Sequence, residues 1–432
     1  MDFSIFLYIA ILLLAALLST RIMKLLKLPN VTGYILTGII MGPFVFGVLF
    51  NNFSYDNIYQ SVIYQHVDKI KWVSTVALGF IAFSIGTSFK TTILKSVGKR
   101  VLIITVLEAL GASILVILIL LIAHFIFPNY IPIELVLTLG AIASATAPAA
   151  TLMVIKQYRA RGPLVNTLLP VVALDDAAAL ILFAILFQIA SSIGAGGSFD
   201  LYKMLAKPVI EIVLSIAFGA VLGLFISFIN KIFKSRNNKL VLCIFTVFSS
   251  VGLYYLFRQP YMGGGFELSS LLICMVAGAL FTNLAKDSGR TLDVLERFTS
   301  PIYMMFFVIS GASLDLTIFT NKLGLVAVII ASIYLLFRVV GKYLGAYLGA
   351  SISKAEPQVR KYLGFTLVPQ AGVAIGLATT ASNLFSLNPQ TTQIGALIIA
   401  IILTSTLIYE LIGPLFSKWA LNKAGEIPNK EN

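Results

Sequence analysis

The sequence predicts an all-α polytopic membrane protein of about thirteen transmembrane helices, with the N-terminus outside and the C-terminus cytoplasmic. Two crossed discontinuous helices within an inverted-topology repeat complete the expected fold class. Three observations carry it. Of the 432 residues, 59% are hydrophobic and only 11% charged, too few charges to coat a soluble fold of this size. Basic residues alternate between successive loops, and two spans place a proline beside small or polar residues at mid-membrane depth.

Taken in order, the apolar spans cover about 3–20, 29–50, 72–89, 101–127, 133–155, 164–190, 208–230, 240–257, 264–284, 301–320, 323–350, 362–385 and 391–417. Each is long enough to cross ~30 Å of hydrocarbon. The first lacks a basic leader and a small-residue cleavage site, so it reads as a retained helix rather than a signal peptide. The second to fourth are rich in Leu, Ile, Val and Phe, with small residues where helices can approach closely. The fifth runs from Gly140 through Thr146 and Pro148 to Thr151, and the sixth carries Asp175 and Asp176. The seventh to tenth are ordinary membrane helices, with Cys243 and Cys274 as small packing residues. The eleventh holds Arg338 and Lys342, and the twelfth contains Pro369, Gln370, Gly372 and Gly376. The thirteenth ends the set, and the longest connecting loops are too short for a nucleotide-sensing domain.

The net charge of +13 raises nucleic acid as a partner, and its placement argues against it. Twenty-three of the 31 basic residues lie in the loops after odd-numbered spans and in the tail. Only Lys69, Lys71, Lys203, Lys207, Arg258 and Lys322 lie in the loops after even-numbered spans, and Arg338 and Lys342 fall inside a span. That alternation is the positive-inside rule, so the basicity reports topology. With His66 and His124 the only histidines, no zinc or haem constellation can be assembled, and no cofactor is expected.

Proline at mid-span removes a backbone hydrogen bond and tends to break the helix. Freed backbone groups cannot face lipid, so such breaks belong in protein or beside a water-filled cavity. The two broken spans, fifth and twelfth, stand seven apart. An odd offset sets corresponding helices antiparallel, as an inverted repeat with broken helices crossing near a midplane site requires.

The carboxylates point to the chemistry. One Asp at the centre of a span costs ~2.5–3.5 kcal/mol on an insertion scale, so a packing role would be met more cheaply by Ser or Asn. Neighbouring residues on a helix point ~100° apart, so one Asp can face a cavity while the other faces a partner helix. Arg338 and Lys342, at i and i+4, share a face and offer the counter-charge. The sequence leaves open which of the two meets Asp175. Such a pairing suits a site where protons and metal cations compete for one carboxylate. Glu108 and Glu410 read as supporting or interfacial acids, Asp315 as a solvated helix end, and Glu211 and Glu267 as helix-start acids.

On these residues the chain resembles the bacterial monovalent cation/proton antiporters, in the branch of sodium/proton antiporters and potassium-efflux proteins. The likeness rests on LPNVTGYILTGIIMGP at 28–43, ALGFIAFSIGTSF at 77–89, SATAPAATLMV followed by RGPL and LDD, and PIYMMFFVISGASLDL at 301–316. It implies a secondary antiporter of the cell membrane, serving pH homeostasis as a homodimer in lipid. Na⁺ or Li⁺ would be exchanged for H⁺, with K⁺/H⁺ exchange and sodium-coupled symport of an organic anion as the alternatives. The resemblance implies a core bundle at about 101–190 and 323–417, a dimerisation bundle at about 3–89 and 240–320, a linker helix at about 208–230 and a short tail at 421–432. It makes Asp176 the principal cation and proton carboxylate and Asp175 the partner of Lys342. Thr146 would lie in the unwound stretch beside the site. The chain departs from relatives at Val373, where many have an acid, and has Asp175-Asp176 where potassium-efflux members often have Gln–Asp. The double aspartate with a lysine also resembles the electrogenic members.

Overall fold

The computed structural model describes residues 3–26, 30–48, 58–87, 91–128, 130–147, 158–194, 207–233, 235–258, 268–285, 288–314, 324–389 and 391–428, together with 89, 151, 154 and 155. Among these residues the chain is all-helical, as the apolar runs require. The helices are α1 (Phe3–Leu26), α2 (Asn30–Met41), α3 (Ile58–Thr87), α4 (Thr91–Ile126), α5 (Ile133–Ala143), α6 (Pro163–Gly194) and α7 (Lys207–Ile229). They continue as α8 (Arg236–Arg258), α9 (Ser270–Leu284), α10 (Ser288–Ala312), α11 (Gly324–Ile352), α12 (Pro357–Thr366), α13 (Gly372–Phe385) and α14 (Thr392–Lys423). Eight of them are long and apolar enough to cross a membrane, and the protein is an integral membrane protein.

Among the described residues the expected spans fall on helix, and the fifth and twelfth are interrupted. The fifth stops at Ala143 and is non-helical from Ala145 to Ala147. The twelfth divides into α12 and α13 around Leu367–Ala371. Pro148, Asp315 and Glu267 lie outside the described residues.

The helices pack as two groups. In one, α4 lies along α11, α5 against α6, and α13 against α14. In the other, α9 packs on α3 and α7, and α10 on α2 and α3. The α4–α11 contact is close because glycines line it. A Cβ at Gly341 would meet the Gly111 carbonyl oxygen at 2.6 Å, and one at Gly345 the Leu107 oxygen at 2.3 Å. Glycine at each fourth position is how membrane helices bring backbones together without a hydrophobic driving force. This pair holds Lys342 of α11 against Glu108 of α4.

Candidate ion site

The two helix breaks meet each other. A broken helix leaves terminal carbonyls without intrahelical donors, and at this depth protein must supply them. Arg338, fully buried on α11, supplies three. Its Nε donates to the Ala143 carbonyl at 3.1 Å, Nη2 to Ala145 at 2.5 Å and Nη1 to Val368 at 2.7 Å. The guanidinium sits 4.6 Å from the Tyr409 ring centre. Gln370, in the second break, donates through Nε2 to the Ile142 carbonyl at 3.0 Å and to the Tyr334 hydroxyl at 2.8 Å. The Ala147 N–H donates to the Pro369 carbonyl at 2.9 Å, a direct bond from one break to the other. Gly372 opens α13 immediately after.

Lys342, one turn along α11 from Arg338, points to the carboxylates instead. Its Nζ lies 3.0 Å from Asp175 Oδ2 and 3.3 Å from Oδ1. It also lies 2.6 Å from Glu108 Oε2 on α4, and all three side chains are 0% exposed. Of the two basic residues, Lys342 therefore meets Asp175, and Arg338 belongs to the breaks.

Asp176 is placed differently. The residue is half-buried, and its Oδ1 is enclosed with no hydrogen-bond partner. The Thr146 hydroxyl, in the first break, is likewise enclosed and unpartnered. No hydrogen bond joins Thr146 to Asp176. Several oxygens in this core are enclosed without a protein donor, Thr105, Ser405 and Thr406 among them, and these two are set apart by lying at a helix break and on an aspartate. Oxygen atoms without protein donors are what a hard monovalent cation or a proton seeks.

The residues alone left open which base meets Asp175 and marked Pro369 and Gln370 at a break, while the family resemblance pointed to Lys342 and to Thr146 in the other break. Sequence reasoning gave Glu108 too little weight, as an acid two turns into a span. The missed signal was the glycine stripe Gly341, Gly345 and Gly349, which demands a small-residue partner helix. Gly111 and Ala112 supply it one turn from Glu108. Glu410, on α14, is buried and accepts a hydrogen bond from the Thr32 hydroxyl on α2.

Comparison with known proteins bears on the family and the fold. The family model for the transmembrane sodium/hydrogen exchangers matches residues 9–418. The chain is 25% identical over 336 residues to the iron transporter MagA of Paramagnetospirillum magneticum, covering 76% of this chain and 68% of that protein. It is 24% identical over 396 residues to human sodium/hydrogen exchanger 9B2, covering 86% of this chain and 66% of that one. The chain thus spans about two thirds of the length of each. Among solved structures, the sodium proton antiporter MjNhaP1 of Methanocaldococcus jannaschii at pH 8 superposes with a TM-score of 0.71 at 18% identity. That match covers 97% of this chain and 98% of the other.

Proposed function

The chain belongs to the sodium/hydrogen exchanger family, and from that membership we propose that it exchanges Na⁺ or Li⁺ for protons by alternating access, with both competing for Asp176. One observation carries the reading. Asp175 is held by Lys342, whereas Asp176 Oδ1 is enclosed without a partner on a half-buried residue. A cation there takes oxygen ligands from Asp176, the Thr146 hydroxyl and carbonyls of the unwound stretch. A proton neutralises the same carboxylate. Either occupant lowers the charge that must move through the membrane; the empty, ionised site is held back by the cost of bare charge in lipid. Exchange is then obligatory without a separate gate for each ion.

The remaining parts follow the same reading. The group built from α4–α6 and α11–α14 is the moving core, and the group containing α1–α3 and α8–α10 is the dimer scaffold, joined by α7. The contact between the two breaks supports an inverted repeat around a midplane site. The loop charges support an N-terminus outside and a C-terminus in the cytoplasm of a cell-membrane homodimer. Lys342, bonded to Asp175, supports an electrogenic cycle, because a lysine that lets go of that aspartate adds a second titrating group.

The test is proton movement in proteoliposomes on addition of Na⁺, Li⁺ or K⁺ across a pH series. Na⁺ and Li⁺ are expected to drive proton movement that Asp176→Asn abolishes. Full exchange by Asp176→Asn overturns the site. A response to K⁺ alone changes the substrate and keeps the mechanism, and no response to any cation withdraws antiport.

A further inference from the structure

The carboxylate helix α6 is tied at its start to the segment that follows α14. Helix α14 ends at Lys423. The Gly425 N–H bonds the Asn422 carbonyl at 3.0 Å, and the Glu426 N–H bonds the Leu421 carbonyl at 3.0 Å. Gly425 has φ 73°, the left-handed conformation that glycine adopts without strain. This pair of bonds is a Schellman motif, and it turns the chain back across the bundle end. Ile427 packs onto the apolar cluster containing Val101, Leu164 and Leu421.

The turn delivers Glu426 to the first residues of α6. Its Oε1 accepts from the Leu164 N–H at 2.6 Å and its Oε2 from the Val165 N–H at 2.9 Å. The Glu426 carbonyl accepts from the Arg161 N–H at 3.0 Å, and the residue is 5% exposed. Room for it exists because residue 162 is glycine: a Cβ there would lie 2.4 Å from the carboxyl carbon. Two otherwise orphaned N–H groups at a positive helix end are thus met by one buried carboxylate.

Pro170 lies inside α6, between this cap and Asp175. Proline has no N–H, so the Asn166 carbonyl loses its intrahelical donor and the helix is weakened there. The segment before Pro170 is held by Glu426, and the segment after it by the Asp175–Lys342 bond. Helix-end charge fades within about a turn, so Glu426 cannot reach Asp176 electrostatically. Its action must be mechanical.

We propose that Glu426 is a positioning residue for transport, a strap that fixes α6 on the near side of the Pro170 hinge and so sets where Asp175 and Asp176 sit. The proposal rests on the antiport reading only for its transport consequence. Without the strap, the first turns of α6 tilt about Pro170, and the aspartates lose their register against Lys342 and the breaks.

The test compares the full chain with Glu426→Ala, Glu426→Gln and Gly162→Ala, reading hydrogen exchange of α6 and Na⁺-driven proton transport. In Glu426→Ala, amide exchange is expected to rise about fivefold at 164–169, as for a lost cap, and to rise also beyond the hinge at 171–178. Apparent KM for Na⁺ rises severalfold and the pH profile shifts, while Glu426→Gln, which keeps one acceptor oxygen, falls between. Gly162→Ala, which displaces the carboxyl, reproduces the alanine phenotype. Faster exchange confined to 164–169, or a lower melting temperature with KM and pH profile unchanged, overturns the proposal, because the cap is then structural only. If the wild-type protein moves no protons, the antiport reading fails, and hydrogen exchange at 171–178 decides the strap by itself.

Discussion

Lys342 is the one cation between two buried acids, 2.6 Å from Glu108 and 3.0 Å from Asp175. Removing it leaves both carboxylates without a counter-charge in a low-dielectric core, a loss of ~3–5 kcal/mol. Lys342→Ala is therefore expected to melt far below wild type in detergent, and adding Glu108→Gln should recover part of the loss. A double variant no more stable than Lys342→Ala would mean that Glu108 is not part of the charge balance. Arg338 works through shape as well as charge, since a planar fork reaches three carbonyls at once. Arg338→Lys is expected to lose transport and stability together, because a lysine cannot span Ala143, Ala145 and Val368 and each abandoned carbonyl costs ~1–3 kcal/mol. The aspartates and Lys342 were legible in the sequence because charge inside an apolar span is conspicuous. The role of Arg338 was not, because its partners are backbone carbonyls that exist as free acceptors only once both helices break.

At the scale of the element, the α4–α11 pair sets the distance between Glu108 and Lys342. A methyl at residue 345 would sit 2.3 Å from the Leu107 carbonyl oxygen and 2.7 Å from the Glu108 Cα, both backbone atoms. Neither can rotate away, so Gly345→Ala must push the helices apart. Its expected result is a sharply reduced melting temperature with loss of exchange, whereas Gly252→Ala, with nothing within 4 Å, should be silent. Folding to wild-type stability with normal exchange would show that this contact does not set the site. The break positions were partly legible. Proline marked both spans, yet the first break opens at Ser144–Ala147, ahead of Pro148, because the residue before a proline is itself pushed out of helix. The start of α12 carries a weaker device. Glu356 pairs with Arg100 of α4, and the bond from that guanidinium holds the Glu356 carboxyl below its usual range. A lowered folded-state pKa contributes stability that is present at neutral pH and lost only as pH falls through that lowered value. With the partners 33% and 46% exposed, solvent screens the pair. Glu356→Gln should shift the melting temperature at pH 7 barely at all.

The described helices pack as two groups, and the alternating access proposed above requires one to move against the other. The family resemblance implied a division into bundles, but sequence could not say where distant spans touch, since such a contact leaves no local periodicity. A cavity of about 250 Å³ lies between the groups, lined by Ser74, Ser310 and Ser313 from one and Thr379, Ser382 and Asn383 from the other. Rigid-body motion of one group must change its size, because its two walls belong to different bodies. The Thr32–Glu410 hydrogen bond crosses between the same two groups, from α2 to α14, and favours the arrangement in which it forms. A cysteine at Asn383 should therefore react with a membrane-impermeant thiol reagent at a rate that changes when Na⁺ is added. The background is low, since Cys243 and Cys274 are both buried. Thr32→Val should alter that rate without Na⁺, because it removes a bond made in one arrangement only, and a ligand or variant shifts an equilibrium only through such a difference. A labelling rate indifferent to both Na⁺ and Thr32→Val would mean that the two groups do not move past each other at this cavity.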